Sequence, residues 1–156
     1  MSKLELSHSK TLKLTNVLTY EVTPSPETKL DLEILKMDNY IKSKGSQPIG
    51  PLIQYTAPQT NSDGTIRIIV KLLRQSNSYI QNADSPYTMS LVLRIKDCMY
   101  VRFIGEESNL QFAYSKITLT AYEEDIALIG DSYTIFVDRA EDTLTADIFM
   151  EKKHDS

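Results

Sequence analysis

The sequence predicts an α+β protein in which one strand-helix-strand-strand unit occurs twice. Two stretches, LKLTNVLTYEV (12–22) and LRIKDCMYVRF (93–103), match in kind at most positions, and a helical pattern follows each of them. Later in each half a further strand pattern begins with Ile-Gly, in IGPLIQYTAP (49–58) and IGDSYTIFVD (129–138). Because the matching elements lie about eighty residues apart throughout, we predict a tandem repeat.

The first element of each half has the composition of a strand pair. Apolar residues lie on both sides of a polar residue, Asn16 in the first half and Asp97 in the second. This pattern predicts an extended segment, a short polar turn and a second extended segment in each half.

The second element of each half is a helix. In the first helix Ser25 is the expected N-cap, Pro26 the first helical residue, and Gly45 the residue that ends it. In the second helix Glu106 and Glu107 suit the positive N-terminal end of the helix dipole. The apolar stripes predicted to face the core are Leu30, Ile34, Met37 and Ile41, and then Leu110, Ala113, Tyr114, Ile117 and Ala121.

The last two elements of each half are strands joined by a polar loop. The loops are TNSDG (60–64) and RAEDT (139–143), and the closing strands start at Thr65 and Thr145. We predict a single domain, residues 1–156. It consists of two repeats, at about 4–75 and 85–153, joined by a polar linker at 76–84.

Composition and charge narrow the class of protein. The net charge is −4 and the Lys and Arg residues are scattered, so we expect no nucleic-acid partner. No apolar run is long enough to span a bilayer, and the N-terminus lacks the apolar block of a secretory signal. Together with the single cysteine, Cys98, these features predict a cytoplasmic protein without a membrane partner.

The sequence resembles the gyrase-inhibitor-like (GyrI-like) small-molecule-binding family in three features. These are the order of its elements, the segment GPLIQY (50–55) after the first helix, and the segment DIFMEK (147–152) in the final strand. The resemblance covers nearly the whole chain. It implies two halves related by a pseudo-twofold axis, an antiparallel sheet with the two main helices on one face, and a ligand cleft on the other. It also implies a role as an effector-binding domain or a stand-alone binding protein.

The chain departs from that family where cationic drugs are bound. Family members that sense such drugs carry a glutamate and an aromatic residue in the second-half strand, and this pattern falls on Thr134 and Phe136. A threonine offers a neutral hydrogen bond where a carboxylate would pair with a cation. The chain has no tryptophan, and no DNA-binding module precedes the repeat. A multidrug-sensing regulator is therefore disfavoured.

Few residues suggest catalysis or metal binding. His8 and His154 lie in polar terminal segments, and Cys98 has no neighbouring cysteine or histidine, so we interpret it as a buried, inert thiol. An ion pair between Arg67 and Asp147 is possible if the closing strands face each other, and exposure of both side chains is the alternative. We predict no catalytic residue, no metal and no cofactor.

The candidate ligand-binding residues follow from strand alternation. Thr134 and Phe136 share one face of their strand, and Tyr133, Ile135 and Val137 share the other. Because the second set is more continuously apolar, we assign it to the helix-packed core and expect the first set to face the cleft. The predicted site is Gln54, Thr134 and Phe136, with Tyr55, Tyr100 and Phe149 nearby.

We therefore predict a non-enzymatic module that holds a neutral or weakly polar small molecule between its halves. The alternative is a protein-interaction adaptor or accessory chaperone whose cleft has degenerated. A large aromatic-lined pocket would favour the ligand, and a filled cleft with an exposed apolar patch elsewhere would favour the adaptor. A hydrolase ranks last. Relatives thought to hydrolyse small molecules use a tyrosine and a glutamate, and Thr134 stands in the place of that glutamate. The oligomeric state stays open.

Overall fold

Six strands and two α-helices make up the described part of the chain, in the order strand, helix, strand, strand in each half. The structure is a computed structural model that describes residues 4–23, 25 and 27–154. A short 3₁₀ turn, Glu107–Asn109, precedes the second helix. The elements are β1 (Glu5–Glu21), α1 (Leu30–Ser43), β2 (Pro48–Thr60), β3 (Ile66–Ser76), β4 (Tyr87–Gly105), α2 (Gln111–Glu123), β5 (Ser132–Ala140) and β6 (Thr143–Glu151).

The six strands form a closed barrel in the order β1-β3-β2-β5-β6-β4. Every strand pair is antiparallel, so the antiparallel sheet with two helices is confirmed. The closure differs from the predicted sheet with one open face. It arises because β1 and β4, 17 and 19 residues long, pair along most of their length. A short β2–β5 ladder joins the two halves on the other side.

The turns predicted at Asn16 and Asp97 are wrong, because β1 and β4 each run through that position without reversing. Both residues adopt left-handed backbone angles, with φ of 50° and 56°. Asparagine and aspartate tolerate this region better than other side chains except glycine. Side chains that face the barrel interior are spaced by two residues on either side and by three across these positions, as from Leu14 to Val17 and from Ile95 to Cys98. Both residues therefore shift the alternation, and at Asp97 the β1–β4 register shifts as well, as in a β-bulge.

The two helices match most of their predicted stripes but not their predicted starts. In α1 Met37 and Ile41 are buried, whereas Leu30 is 39% exposed and does not face the core. α1 begins at Leu30, and the Ser25 hydroxyl instead accepts a 3.2 Å hydrogen bond from the Glu27 amide in the preceding turn. Pro26 lies outside the described residues. Gly45, with φ of 82°, follows the end of the helix as predicted. In α2 the buried residues Ala113, Ile117 and Ala121 confirm the second stripe.

Apolar residues form three clusters, two outside the barrel and one within it. The α1 cluster joins α1 to the outer face of the sheet through residues such as Leu18 and Leu72. The α2 cluster does the same for α2, through residues such as Val101 and Ile148. Both helices therefore pack on the outer face. The interior cluster consists of Leu12, Leu14, Val17, Ile53, Leu73, Cys98, Tyr133 and Phe149, with Tyr55, Leu93, Ile95, Tyr100 and Ile135 partly buried against it.

The segment between β3 and β4 is less polar than a simple linker. Ile80 is buried and belongs to the α1 cluster, and the Ser46 hydroxyl donates to the Asn77 side chain at 2.8 Å. Within the described ranges, no helix is long and apolar enough to cross a membrane.

Candidate functional site

A cavity of about 260 Å³ lies inside the barrel, on the side opposite the helices. Five of the six strands contribute to it, so the barrel wall itself builds the site. Three aliphatic side chains line it together with three threonine or serine hydroxyls, two tyrosines and a lysine. The lining residues are Val17, Thr19, Tyr55, Lys71, Leu73, Thr88, Ser90, Leu93 and Tyr133.

Strand register places three of these side chains together. Tyr55 lies directly opposite Tyr133 across β2–β5, and their ring centroids are 4.8 Å apart. Tyr55 is also opposite Lys71 across β2–β3, and the Lys71 Nζ lies 5.7 Å from the centre of the Tyr55 ring. Directly paired residues in adjacent antiparallel strands project to the same face of the sheet. The two rings and the ammonium group therefore form one wall of the cavity.

Asp131 fixes the hydroxyl of Tyr55 from outside the lining. The Tyr55 hydroxyl donates to Asp131 Oδ2 at 3.2 Å, and the Asp131 Oδ1 atom is buried without a hydrogen-bond partner among the described residues. Burial raises the pKa of Asp131. Burial, and then the negative charge of Asp131, raise the pKa of Tyr55 to about 12. Tyr55 is therefore a neutral phenol whose hydroxyl already donates its hydrogen bond to Asp131. A ligand would contact mainly the Tyr55 ring.

Tyr133 provides a hydroxyl with different properties. Its side chain is buried and lines the cavity, and burial, more than the nearby Tyr55, raises its pKa. Its hydroxyl makes no side-chain hydrogen bond within the described part of the chain. A neutral hydroxyl of this kind can donate to a ligand and accept from it.

A second polar group on the interior face joins Tyr100, Arg102 and Asp147. The Tyr100 hydroxyl donates to Asp147 Oδ1 at 2.6 Å, and Arg102 binds both carboxylate oxygens at 2.8 and 2.9 Å. The suggested Arg67–Asp147 pair is therefore wrong, because Asp147 lies opposite Arg102 across β4–β6 and Arg67 Nε donates to Gln59 at 2.6 Å. Burial, followed by the hydrogen bond to Asp147, raises the pKa of Tyr100 to about 12.

The predicted site residues divide between the two faces of the barrel. Tyr55, Tyr100 and Phe149 lie on the interior face, and the Tyr100 and Phe149 rings are 4.9 Å apart. Only Tyr55 among them lines the cavity. Gln54, Thr134 and Phe136 lie on the outer face instead.

The outward orientation of Gln54, Thr134 and Phe136 corrects the prediction that they face the cleft. The Thr134 hydroxyl shares a short hydrogen bond with the Tyr114 hydroxyl of α2, and Phe136 packs against the α2 cluster. Gln54 is directly opposite Thr134 across β2–β5, so it projects to the same side.

The prediction failed because both faces of β5 are buried. Tyr133 and Thr134 are 8% and 2% exposed, so greater apolarity does not mark the helix-facing side. Alternation correctly grouped Thr134 with Phe136 and Tyr133 with Ile135, but it could not assign either group to a side. Val137 leaves the second group, because the β5–β6 register shifts between Phe136 and Asp138. The small side chain at position 134 was the signal that could have identified the helix-facing side of β5, since it leaves room for Tyr114 of α2.

Sequence reasoning missed the polar residues of the cavity, including Lys71, Thr19 and Ser90. Lys71 had a visible signal, because it is a single charge within the otherwise apolar run IIVKLL (68–73). Thr19 and Ser90 had none, since hydroxyl residues are common on exposed strand faces. No group of three or more His, Cys, Asp or Glu side chains that could hold a metal ion occurs among the residues the structure describes.

Comparisons with known proteins identify the fold. No protein-family model matches the chain. No curated protein matches it either. Among solved structures, a hydrolase from Listeria innocua aligns with a TM-score of 0.55 at 12% identity, over 97% of this chain and 92% of its own.

Two further structures align over similar lengths. An uncharacterized conserved protein from Listeria innocua has a TM-score of 0.57 at 12% identity, with coverage of 97% of this chain and 92% of its own. SAV2435 bound to tetraphenylphosphonium has a TM-score of 0.47 at 10% identity, with coverage of 98% and 94%. At 12% identity the two Listeria innocua structures show a likeness of fold alone.

Proposed function

We propose that the protein is a non-catalytic binding module that holds a small, largely apolar molecule in the barrel cavity. The observation that carries the proposal is the 260 Å³ cavity, in which three aliphatic side chains and two tyrosine rings lie beside several hydroxyl groups. Ligand sites generally combine a mostly apolar lining with a few placed polar groups. Val17, Leu73 and Leu93 supply apolar contact, and Thr19 and Tyr133 supply directed hydrogen bonds.

The size of the cavity limits the ligand. A cavity of roughly 150 Å³ accommodates benzene, so 260 Å³ suits one aromatic ring with one or two small substituents. This volume lies just below the usual range for drug-sized ligands, which begins at about 300 Å³. The rings of Tyr55 and Tyr133 favour an aromatic or otherwise flat ligand, because such rings pack well against one another.

Kinship with GyrI-like proteins and a pseudo-twofold relation between the halves are part of the proposal. Strand pairing supports the twofold relation, since β1 pairs with β3 and β3 with β2, as β4 pairs with β6 and β6 with β5. The remaining ladders, β1–β4 and β2–β5, join equivalent strands of the two halves. This is the pairing that two copies of one unit related by a twofold axis produce.

A hydrolase is a weaker candidate, although Tyr100 and Asp147 form a tyrosine–carboxylate pair on the interior face. Arg102 binds the carboxylate through both oxygens, and the pKa of Tyr100 is raised to about 12, so the phenol is a poor nucleophile near neutral pH. Neither Tyr100 nor Asp147 lines the cavity.

A protein-interaction adaptor is the other candidate, and one surface favours it. The outer side of α2 exposes Phe112, Leu119 and Tyr122, which are 56%, 57% and 82% exposed. These residues recur at helical spacing and form an apolar stripe. The open cavity supports the ligand function more directly, since an adaptor has no need of one.

The experiment is a binding screen with a blocked cavity. Single-ring aromatic compounds with neutral, acidic and basic substituents are titrated into the protein, and binding is followed by chemical-shift changes in two-dimensional NMR spectra. Ser90→Trp fills the mouth of the cavity from an exposed position, and Ser115→Trp makes the same change on the exposed side of α2. We expect Ser90→Trp to weaken binding by about ten-fold or more and Ser115→Trp to leave it unchanged. If no compound binds, or if both variants bind like the wild type, the proposal is wrong.

A further inference from the structure

We infer that the cavity selects a ligand with one acidic group, a carboxylate or a phosphate, whose oxyanion binds the ammonium group of Lys71. The inference rests on the proposed function and assigns the chemical class of its ligand. The rest of the molecule is the single ring that the apolar walls hold. The acidic group replaces the neutral substituent expected from the sequence.

Lys71 is the one charged side chain among the lining residues. It is half-buried, and it forms no ion pair with any residue the structure describes. Glu21 is directly opposite Lys71 across β1–β3, yet no carboxylate oxygen lies within ion-pair distance. A partly buried ammonium group without a counter-ion is less stable than a paired one, so a bound oxyanion would stabilise the charged form of Lys71.

The hydrogen-bonding groups around the cavity suit the same ligand. Thr19, Thr88 and Ser90 each bring a hydroxyl that can donate to an oxyanion. Hydrogen bonds to an ionised acceptor are roughly twice as strong as those between neutral groups, so these donors favour an acid over its amide. The ammonium of Lys71 also lies 5.7 Å from the centre of the Tyr55 ring, a distance typical of a cation–π contact that holds it at the wall.

Acidic residues near the cavity do not offset this positive charge from within it. Glu21, Asp131 and Glu151 lie near the cavity but outside its lining. Asp131 accepts the Tyr55 hydroxyl, and burial raises the pKa of both Asp131 and Glu151, which opposes their ionisation. A cationic ligand would place a second positive charge beside Lys71 without a lining carboxylate to pair with it. The preferred order is therefore acid, then neutral amide, then amine.

The test uses ligands that share one ring and differ in charge. Phenylacetate, phenyl phosphate, phenylacetamide and phenethylamine are titrated into the full chain at low ionic strength, with dissociation constants from NMR or calorimetry. We expect at least one acid to bind about ten-fold more tightly than the amide, and the amine to bind least. The stronger of the two acids identifies the oxyanion as carboxylate or phosphate.

Variants of Lys71 separate charge from shape. Lys71→Met keeps most of the side-chain volume and should remove the advantage of the acid over the amide, whereas Lys71→Arg should keep it. Lys13→Met removes an exposed lysine of β1 that does not line the cavity and should change nothing. Circular dichroism confirms that each variant is folded, and the wild-type charge series decides the question even if Lys71→Met fails to fold.

The outcomes distinguish the inference from the function beneath it. If the amide binds as tightly as both acids, or if Lys71→Met keeps the acid preference, the inference is wrong and the binding module remains. If none of the four compounds binds and the wider screen with Ser90→Trp is also negative, the proposed function fails and the inference fails with it.

Discussion

Replacement of Thr134 by glutamate tests the side of the barrel to which this residue belongs. If Thr134 faced a ligand cleft, a glutamate would be partly solvated there and would create a site for cations. In the structure Thr134 is 2% exposed and contacts Tyr114 of α2. The new carboxylate would then be buried between helix and sheet. We therefore expect Thr134→Glu to destabilise the fold and to create no binding of lipophilic cations.

The magnitude follows from the cost of ionising a buried carboxyl group. Burial shifts such a pKa upward by up to about 3–5 units from its usual value near 4.3. With a folded-state pKa at or above about 7, the loss at neutral pH is roughly 1.36 × 2.7, or about 4 kcal/mol. The larger side chain adds about 1–3 kcal/mol through overpacking. The Tyr114 hydroxyl keeps an acceptor, so no lost hydrogen bond is added.

Thr134→Gln is the matched control, because it has nearly the same volume without the charge. Urea unfolding of both variants, followed by circular dichroism near pH 4 and near pH 7, isolates the electrostatic part. A raised folded-state pKa means that the folded protein binds the proton more tightly, so stability falls as pH rises through this interval. Thr134→Glu should match Thr134→Gln near pH 4 and be about 4 kcal/mol less stable near pH 7. A difference below about 1 kcal/mol near pH 7 would refute the outward orientation of Thr134.

Three further predictions concern single residues. Asp131→Asn should gain stability relative to the wild type between about pH 4 and pH 7, because the raised pKa of Asp131 makes the wild type lose stability as that carboxyl ionises; urea unfolding at both pH values checks this. Cys98 should react with a thiol reagent near pH 8 only as fast as the chain opens, since burial raises its pKa to about 11, and labelling within seconds would contradict its burial. Asn16→Ala should be less stable than Asn16→Gly by about 1 kcal/mol, because residue 16 has a φ of 50°, and equal melting temperatures would argue against a left-handed backbone at this residue.

Elements and their order could be predicted from the sequence because they depend on local patterns. The stripe of α2, the end of α1 at Gly45 and the strands after each Ile-Gly pair all follow from short-range periodicity and turn chemistry. Even the misread turns were placed at the right residues, since Asn16 and Asp97 both adopt unusual backbone angles. The error lay in their effect, because a left-handed residue within a strand can form a bulge as well as a turn.

The face of each strand that points into the barrel could not be predicted, because it depends on closure of the sheet. An open sheet with one solvated face has a clear apolar side, whereas both sides of this barrel wall are covered, one by helices and the other by the opposite strands. Tyr133 was therefore assigned to the helix-packed core and Thr134 to the cleft, and each lies on the other side. The lining of the cavity could not be predicted for the same reason, since Lys71 lines a cavity only because other strands of the barrel face it.

The charge of the ligand is then independent of the threonine at position 134. That residue packs against α2, so the missing carboxylate there excludes nothing about the cavity. The informative positions are those that strand pairing makes equivalent in the two closing strands. They are Lys71, which is opposite Glu21 on one side, and Asp147, which is opposite Arg102. Lys71 lines the cavity, whereas Asp147 binds Arg102 and accepts the hydroxyl of Tyr100. If the halves are copies of one unit, they have acquired opposite charges at one interior position, and an acidic ligand group should then bind at the end formed by the first half.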